Sequence, residues 1–331
     1  MPRNDQAAGA SQPALEVHTC GPDVEITGIR DFDLDHIFDC GQCFRWNRGE
    51  DGSYTGTAYG RIVRMVWDPA KQMLRICGTT PEDFHDIWRG YLDLDRDYGQ
   101  IKSYLAERDP VIRDAIGFGS GIRILNQEKW ETVLSFLISQ NNNIPRIRKC
   151  IDSLAETMGR KIGTYDGRDY YALPSPEVLA EAAVEDLEPC RLGYRAKYLI
   201  QTAKLVEKEG MDVLEALGQP EVTAEEARQS LCRYSGIGPK VANCISLFSM
   251  GKIDSFPIDV WVRKVMNRLY GIEEKNVKAM TDFASKQFCP YGGIAQQYLF
   301  YLSPMLSTRI EPVWESRNSS HAVLPGEQSV I

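Results

Sequence analysis

The chain has 331 residues, enough for two domains or one large one, and its 43% hydrophobic and 25% charged residues are the composition of a globular protein with a core. Its 46 acidic residues outnumber 38 basic ones, a formal net charge of -8 that excludes a body coated throughout in basic charge but permits a local basic groove. No apolar run approaches the roughly 20 residues of a membrane span, no basic-then-apolar leader opens the sequence, and nine cysteines scattered from Cys20 to Cys289 do not read as a disulfide framework, so an intracellular protein is expected.

Residues 1–20, rich in Ala, Gln, Pro and Ser, and 311–331, which show no period, read as tails. Between about 22 and 78 the segments VEITGI, QCFRW, SYTGTAY, RIVRMVW and QMLRIC are split by Gly, Asn and Asp turns, which predicts an antiparallel sheet with one face buried. From Pro81 onward helical periodicity takes over and is expected not to give way, with the clearest helices at 127–140, 144–158, 194–208, 223–233, 239–250, 259–270 and 291–303. Strands followed by helices make the fold class α+β, with an N-terminal domain at 21–122 and a helical domain at 123–310. Charge is uneven: 175–188 carries five acids and no base, 191–208 five bases to one acid, and 228–268 seven bases to two acids. A solvated helix face would look the same.

The segment 231–259, LCRYSGIGPKVANCISLFSMGKIDSFPID, places two helices around the tight turn Ser235-Gly236-Ile237-Gly238. The glycines permit positive φ and leave the backbone amides bare, and Pro239 suits the first turn of the second helix. Such a helix start accepts phosphate, so the hairpin can grip a nucleic-acid backbone without reading bases. An ordinary helical hairpin with a glycine cap would share the pattern. Two residues add chemistry. Lys240 lies just inside the second helix, where a deprotonated amine is a nucleophile. Asp259 opens the next helix as an N-cap and is therefore a fixed, ionised carboxylate. An amine and a carboxylate beside a backbone-gripping hairpin suit glycosidic-bond cleavage through an oxocarbenium-like state. Cys40-x-x-Cys43 is compatible with half a zinc site or a redox pair, but no second such pair and no paired histidines lie at metal spacing.

With these residues in place the sequence resembles the helix-hairpin-helix DNA glycosylase superfamily, and most of all its 8-oxoguanine branch, from about residue 22 to 305. The resemblance implies a bifunctional enzyme of base-excision repair that flips out 8-oxoguanine opposite cytosine in double-stranded DNA, excises it and cuts the strand by β-elimination. It implies Lys240 as the Schiff-base nucleophile and Asp259 as the stabiliser of developing positive charge. Asn141 would fill the gap left by the base, Arg146 and Arg195 would contact the orphaned cytosine, and Tyr194 would intercalate. Gln296 would read the Watson–Crick edge between Phe300 and Cys244, and the Gly41 carbonyl would accept from the N–H at N7 that guanine lacks. Gly236 and Gly238 would hold the DNA backbone. Carbonyls of Cys232, Tyr234 and Ile237 would bind a structural monovalent cation, while neither a catalytic cofactor nor an iron–sulfur cluster is implied. Trp261 departs from the family, where many relatives carry a histidine near the damaged nucleotide's phosphate. A monomer is expected, without membrane attachment, in the cytoplasm or nucleoid of a bacterium or the nucleus of a eukaryote. Two other readings stay open: a glycosylase of the same fold for another damaged purine, against which Lys240 counts, and a non-catalytic DNA-binding module, which has no need of Asp259, Gln296 or Phe300.

Overall fold

A computed structural model describes residues 15–307. Six antiparallel strands come first: β1 Glu16–Cys20, β2 Asp23–Thr27, β3 Trp46–Arg48, β4 Tyr54–Ala58, β5 Arg61–Asp68 and β6 Met73–Cys77, in the spatial order β1-β2-β6-β5-β4-β3. Alternation fixes the register: Val24 faces Ile76 and Ile26 faces Leu74 across β2 and β6, so the buried side chains share one face. That face packs on a helical stretch over 81–91 through Phe84 and Trp88. All later helices share a second core, from Trp130 to Leu302. The helices Tyr98–Arg108 and Pro110–Phe118 precede residue 123, yet they bury their apolar sides in this second core through Ile101, Leu105 and Ile112.

Three local features differ from the sequence reading. The N-terminal tail is shorter than expected, because Glu16–Cys20 forms edge strand β1, paired through Val17 and Ile26. Its side chains are mostly exposed, so main-chain pairing places it without an apolar pattern. Within QCFRW only Trp46 belongs to a strand; Cys40, Cys43 and Phe44 are all buried in an irregular connection. Finally, a hairpin of β7 Lys161–Tyr165 and β8 Arg168–Tyr171 interrupts the helices. Its turn, Asp166-Gly167, holds φ of 49° and 73°, the paired positive values of a two-residue hairpin loop. The expected tail at 311–331 and residues 1–14 of the other tail lie outside the described residues. Among the described residues no helix is long and apolar enough to cross a membrane.

Candidate active site

The hairpin is built as its sequence dictates. Its first helix, Ala224–Leu231, starts on a capping box in which Thr223 and Glu226 satisfy each other's backbone N–H. Its second, Pro239–Ser249, begins with Pro239 directly after Gly238. Gly236 sits at φ +79°, and a Cβ there would lie 2.6 Å from Cγ and Cδ2 of Tyr198, so glycine is required twice over. Gly238 differs. A Cβ on it would meet nothing within 4 Å, so the fold leaves room for one, and its bareness opens the amides of the second helix to an incoming group.

Lys240, half-buried in the first turn of that helix, and Asp259 line the same open pocket of about 390 Å³, within the size range of ligand sites. Asp259 is the N-cap of the helix Val260–Tyr270, and its Oδ1 accepts from the Val262 N–H at 2.7 Å. The cap fixes the carboxylate. The Lys240 ammonium lies 5.7 Å from the centre of the Phe136 ring, which together with Phe44 and Phe248 gives the pocket an apolar floor. Burial pushes the Cys244 thiol up; Lys240 acts against that shift and Asp259 adds to it. Cys244 is therefore a neutral, polarizable surface one turn beyond the lysine.

Gly41 (φ +77°), Phe300 and Gln296 complete the pocket, together with the mouth residue Trp261, which is 45% exposed. A Cβ on Gly41 would come within 2.9 Å of Phe300 Cε1, so the ring is closed directly over this glycine. The Gly41 loop is pinned by a residue that sequence reasoning passed over. Gln42 donates to the carbonyls of Ile37 and Arg123, each at 2.8 Å, and accepts from Leu125 N–H at 2.9 Å, which ties the loop to the start of the helical core. Lys264 lies 4.9 Å over the Trp261 ring, so a positive charge accompanies the indole at the mouth.

Cys40 and Cys43 are buried apart from any metal-type cluster: among the described residues no group of three or more His, Cys, Asp or Glu could hold a metal ion. Burial pushes the Cys40 thiol up to about 12 and Cys43 well above its ordinary value. Each donates to a backbone carbonyl, Cys40 to Ile37 and Cys43 to Phe38. They are core thiols.

The residues expected to meet the opposite strand form a second group beside the pocket. Asn141, at φ +47°, donates through Nδ2 to the Tyr194 hydroxyl at 3.2 Å, which joins the two expected insertion residues. Tyr194 is 49% exposed and stands edge-on to Tyr198, 5.7 Å away. Asn143 caps the helix Ile144–Met158, and from its first turn Arg146 projects at the surface. Arg195 is placed otherwise than expected. It is only 4% exposed, and its guanidinium donates to the carbonyls of Gln140, Asn141 and Leu192, so it braces the asparagine turn from beneath. Beyond Arg146 a depression of about 480 Å³ is lined by Lys149, Arg191, Ser153 and Cys190, with no acidic side chain.

A family model described as 8-oxoguanine DNA glycosylase, N-terminal domain, matches residues 26–133, and the HhH-GPD superfamily base excision DNA repair protein model matches residues 134–291. Over 275 residues, 80% of this chain and 75% of that protein, the chain is 30% identical to the N-glycosylase/DNA lyase OGG1 of Arabidopsis thaliana. The chain belongs to the 8-oxoguanine DNA glycosylase family. Two solved structures of 8-oxoguanine glycosylases superpose over nearly their whole length. The structure of MBOgg1 in complex with a low affinity DNA ligand matches at 44% identity and a TM-score of 0.84, covering 89% of this chain and 100% of that one. The Clostridium acetobutylicum 8-oxoguanine glycosylase/lyase, in complex with double-stranded DNA containing cytosine opposite 8-oxoG, matches at 40% identity and 0.82, covering 89% and 98%.

Proposed function

We infer that this chain is a bifunctional 8-oxoguanine DNA glycosylase, which excises 8-oxoguanine paired with cytosine and then cuts the strand by β-elimination. The observation that carries the residue assignment is the meeting of Lys240 with the capped Asp259 in one pocket at the end of the hairpin. Deprotonated Lys240 attacks C1′ of the flipped nucleotide. The C1′–N9 bond breaks, its electron pair leaves with the base, which takes up a proton, and the Asp259 carboxylate stabilises the positive charge on the sugar. Ring opening gives an imine, loss of the C2′ proton expels the 3′ phosphate, and hydrolysis returns the amine.

The damaged base would lie between Cys244 and Phe300, with Gln296 at its Watson–Crick edge and the Gly41 carbonyl at N7–H. Normal guanine carries no hydrogen there and would leave that carbonyl unpaired. Asn141 and Tyr194, already joined by a hydrogen bond, fill the vacated stack. Arg146 and the basic depression behind it face the orphaned cytosine. Arg195 supports this reading indirectly, by holding the asparagine turn. The amides after Gly238 take a backbone phosphate, and the indole N–H of Trp261 serves the neighbouring one. The carbonyls of Cys232, Tyr234 and Ile237 are hard, neutral oxygen donors, a set that suits a monovalent cation and not zinc. Lesion pocket, wedge and hairpin all come from one chain, so the working unit is a monomer.

Borohydride trapping on duplexes with 8-oxoguanine opposite cytosine tests the assignment. Wild type forms a covalent complex; Lys240→Gln forms none and loses strand cleavage by more than about a thousandfold. A complex that persists in Lys240→Gln would move the nucleophile elsewhere.

A further inference from the structure

Gln297 stands next to Gln296 on the helix Gly292–Ser307, is 3% exposed and also lines the lesion pocket. Its Nε2 donates to Gln296 Oε1 at 3.1 Å. That bond fixes the orientation of the Gln296 carboxamide, turning its NH2 away from Gln297. The Oε1 of Gln297 has no hydrogen-bond partner and is sealed from solvent. An unpaired buried acceptor destabilises the resting protein, and a donor that reaches it is bound correspondingly more tightly. Phe300 follows Gln297 by three residues and Gln296 by four. That spacing puts the three side chains on one side of the helix, where they line one pocket with Gly41, over which the ring closes. A base admitted beside Phe300 therefore meets three groups of the same pocket: the Gly41 carbonyl, the Gln296 NH2 and the Gln297 Oε1.

Those groups are two acceptors and one donor, which match three of the polar groups of 8-oxoguanine. N7–H suits Gly41 and O6 suits the Gln296 NH2; the exocyclic 2-amino group is then a donor seeking an acceptor. We propose that Gln297 is a further specificity-determining residue, whose Oε1 accepts from the 2-amino group of the flipped base while its Nε2 orients Gln296. The proposal rests on the 8-oxoguanine reading and adds a requirement that this reading does not contain.

The probe is 8-oxohypoxanthine opposite cytosine, which differs from 8-oxoguanine only in lacking the 2-amino group. Single-turnover excision is compared on the two duplexes, with thermal melting of each variant as the control for folding. Wild type is expected to favour 8-oxoguanine by about tenfold or more. Gln297→Met, which keeps the volume and removes both polar atoms, should lose most of its rate on 8-oxoguanine and bring the two rates within about threefold. Gln297→Glu, which keeps an acceptor, should retain the preference. Equal rates in wild type overturn the proposal whether or not any variant folds. A Gln297→Met variant that slows both substrates alike, with the preference intact, also overturns it and makes the residue a packing or positioning element. A wild type inactive on both duplexes that also fails the borohydride trap refutes the glycosylase reading, and this proposal with it.

Discussion

An alanine at Gly236 would have to adopt φ near +79° with its Cβ 2.6 Å from the Tyr198 ring, whereas an alanine at Gly238, at φ -93°, would meet open space. The two substitutions should therefore separate fold from function. Gly236→Ala is expected to destabilise the protein by about 2–4 kcal/mol, the scale of left-handed strain plus overpacking. Gly238→Ala should leave the melting temperature nearly unchanged and weaken binding to an abasic duplex, because the methyl stands where a phosphate would approach; an unchanged affinity would sink that role. Cys40 gives a prediction in pH. Its thiol is raised from the ordinary 9.0 to about 12 by burial, so the neutral form stabilises the fold below pH 9, and that contribution is lost as pH rises toward 12. Between pH 9 and 10.5 the unfolding free energy of wild type, from guanidinium titrations, should fall more steeply than that of Cys40→Ala, approaching about 1.4 kcal/mol per pH unit. At this scale the sequence marked Lys240, Asp259, Gly236 and Gly238 through residue type and spacing. It did not mark Gln42, Tyr198 or Gln297, whose significance lies in which carbonyl, ring or amide each one meets across the fold. The doubled glutamine in the otherwise apolar stretch GGIAQQYLFYL was the one local signal available.

The helix Val260–Tyr270 begins on a residue assigned two tasks, and Asn in place of Asp259 separates them. Asparagine caps about as well as aspartate, so Asp259→Asn should hold stability within about 0.5 kcal/mol. Without the charge, base release should slow by roughly a hundredfold or more, since the sugar cation loses its partner. A variant that melts early but retains its rate would make the cap the whole role. Helices such as 144–158 were legible to the residue because Asn143, Pro145 and a 3.6-residue apolar stripe agree. The elements that escaped did so for definite reasons. Edge strand β1 buries little and so shows no alternation. The β7–β8 hairpin carries an Asp-Gly turn that is a strong hairpin signal, but it lies inside a long helical region where the surrounding period dominated the reading. The resemblance implies that Arg195 contacts the orphaned cytosine; in the fold it begins a helix whose first turn faces the asparagine turn, and the carbonyls of Gln140, Asn141 and Leu192 take its N–H groups.

Over the whole molecule, the excess of bases in 228–268 is smaller than the sequence tally. Arg228 pairs with Glu225 at 2.5 Å, Arg233 with Glu209, and Lys252 donates to the Gln219 carbonyl at 2.7 Å. The bases proposed to meet DNA are Lys240, Lys264 beside Trp261, and Arg146 and its neighbours. Affinity of the Lys240→Gln variant for an 8-oxoguanine duplex should therefore fall only gently with salt, with a log–log slope near -4 for about four phosphates; a slope near -10 would mean a far broader basic footprint. One ring links the separate tasks of this surface. Tyr198 fills the space beneath Gly236 in the hairpin and stands edge-on to Tyr194 in the wedge. The point proposed to hold the backbone and the point proposed to enter the stack are therefore a fixed length apart, like the two tips of a caliper. On the proposed reading, a hairpin that advanced by one phosphate would carry the wedge forward by one base pair, with each pair along the duplex measured from the same offset.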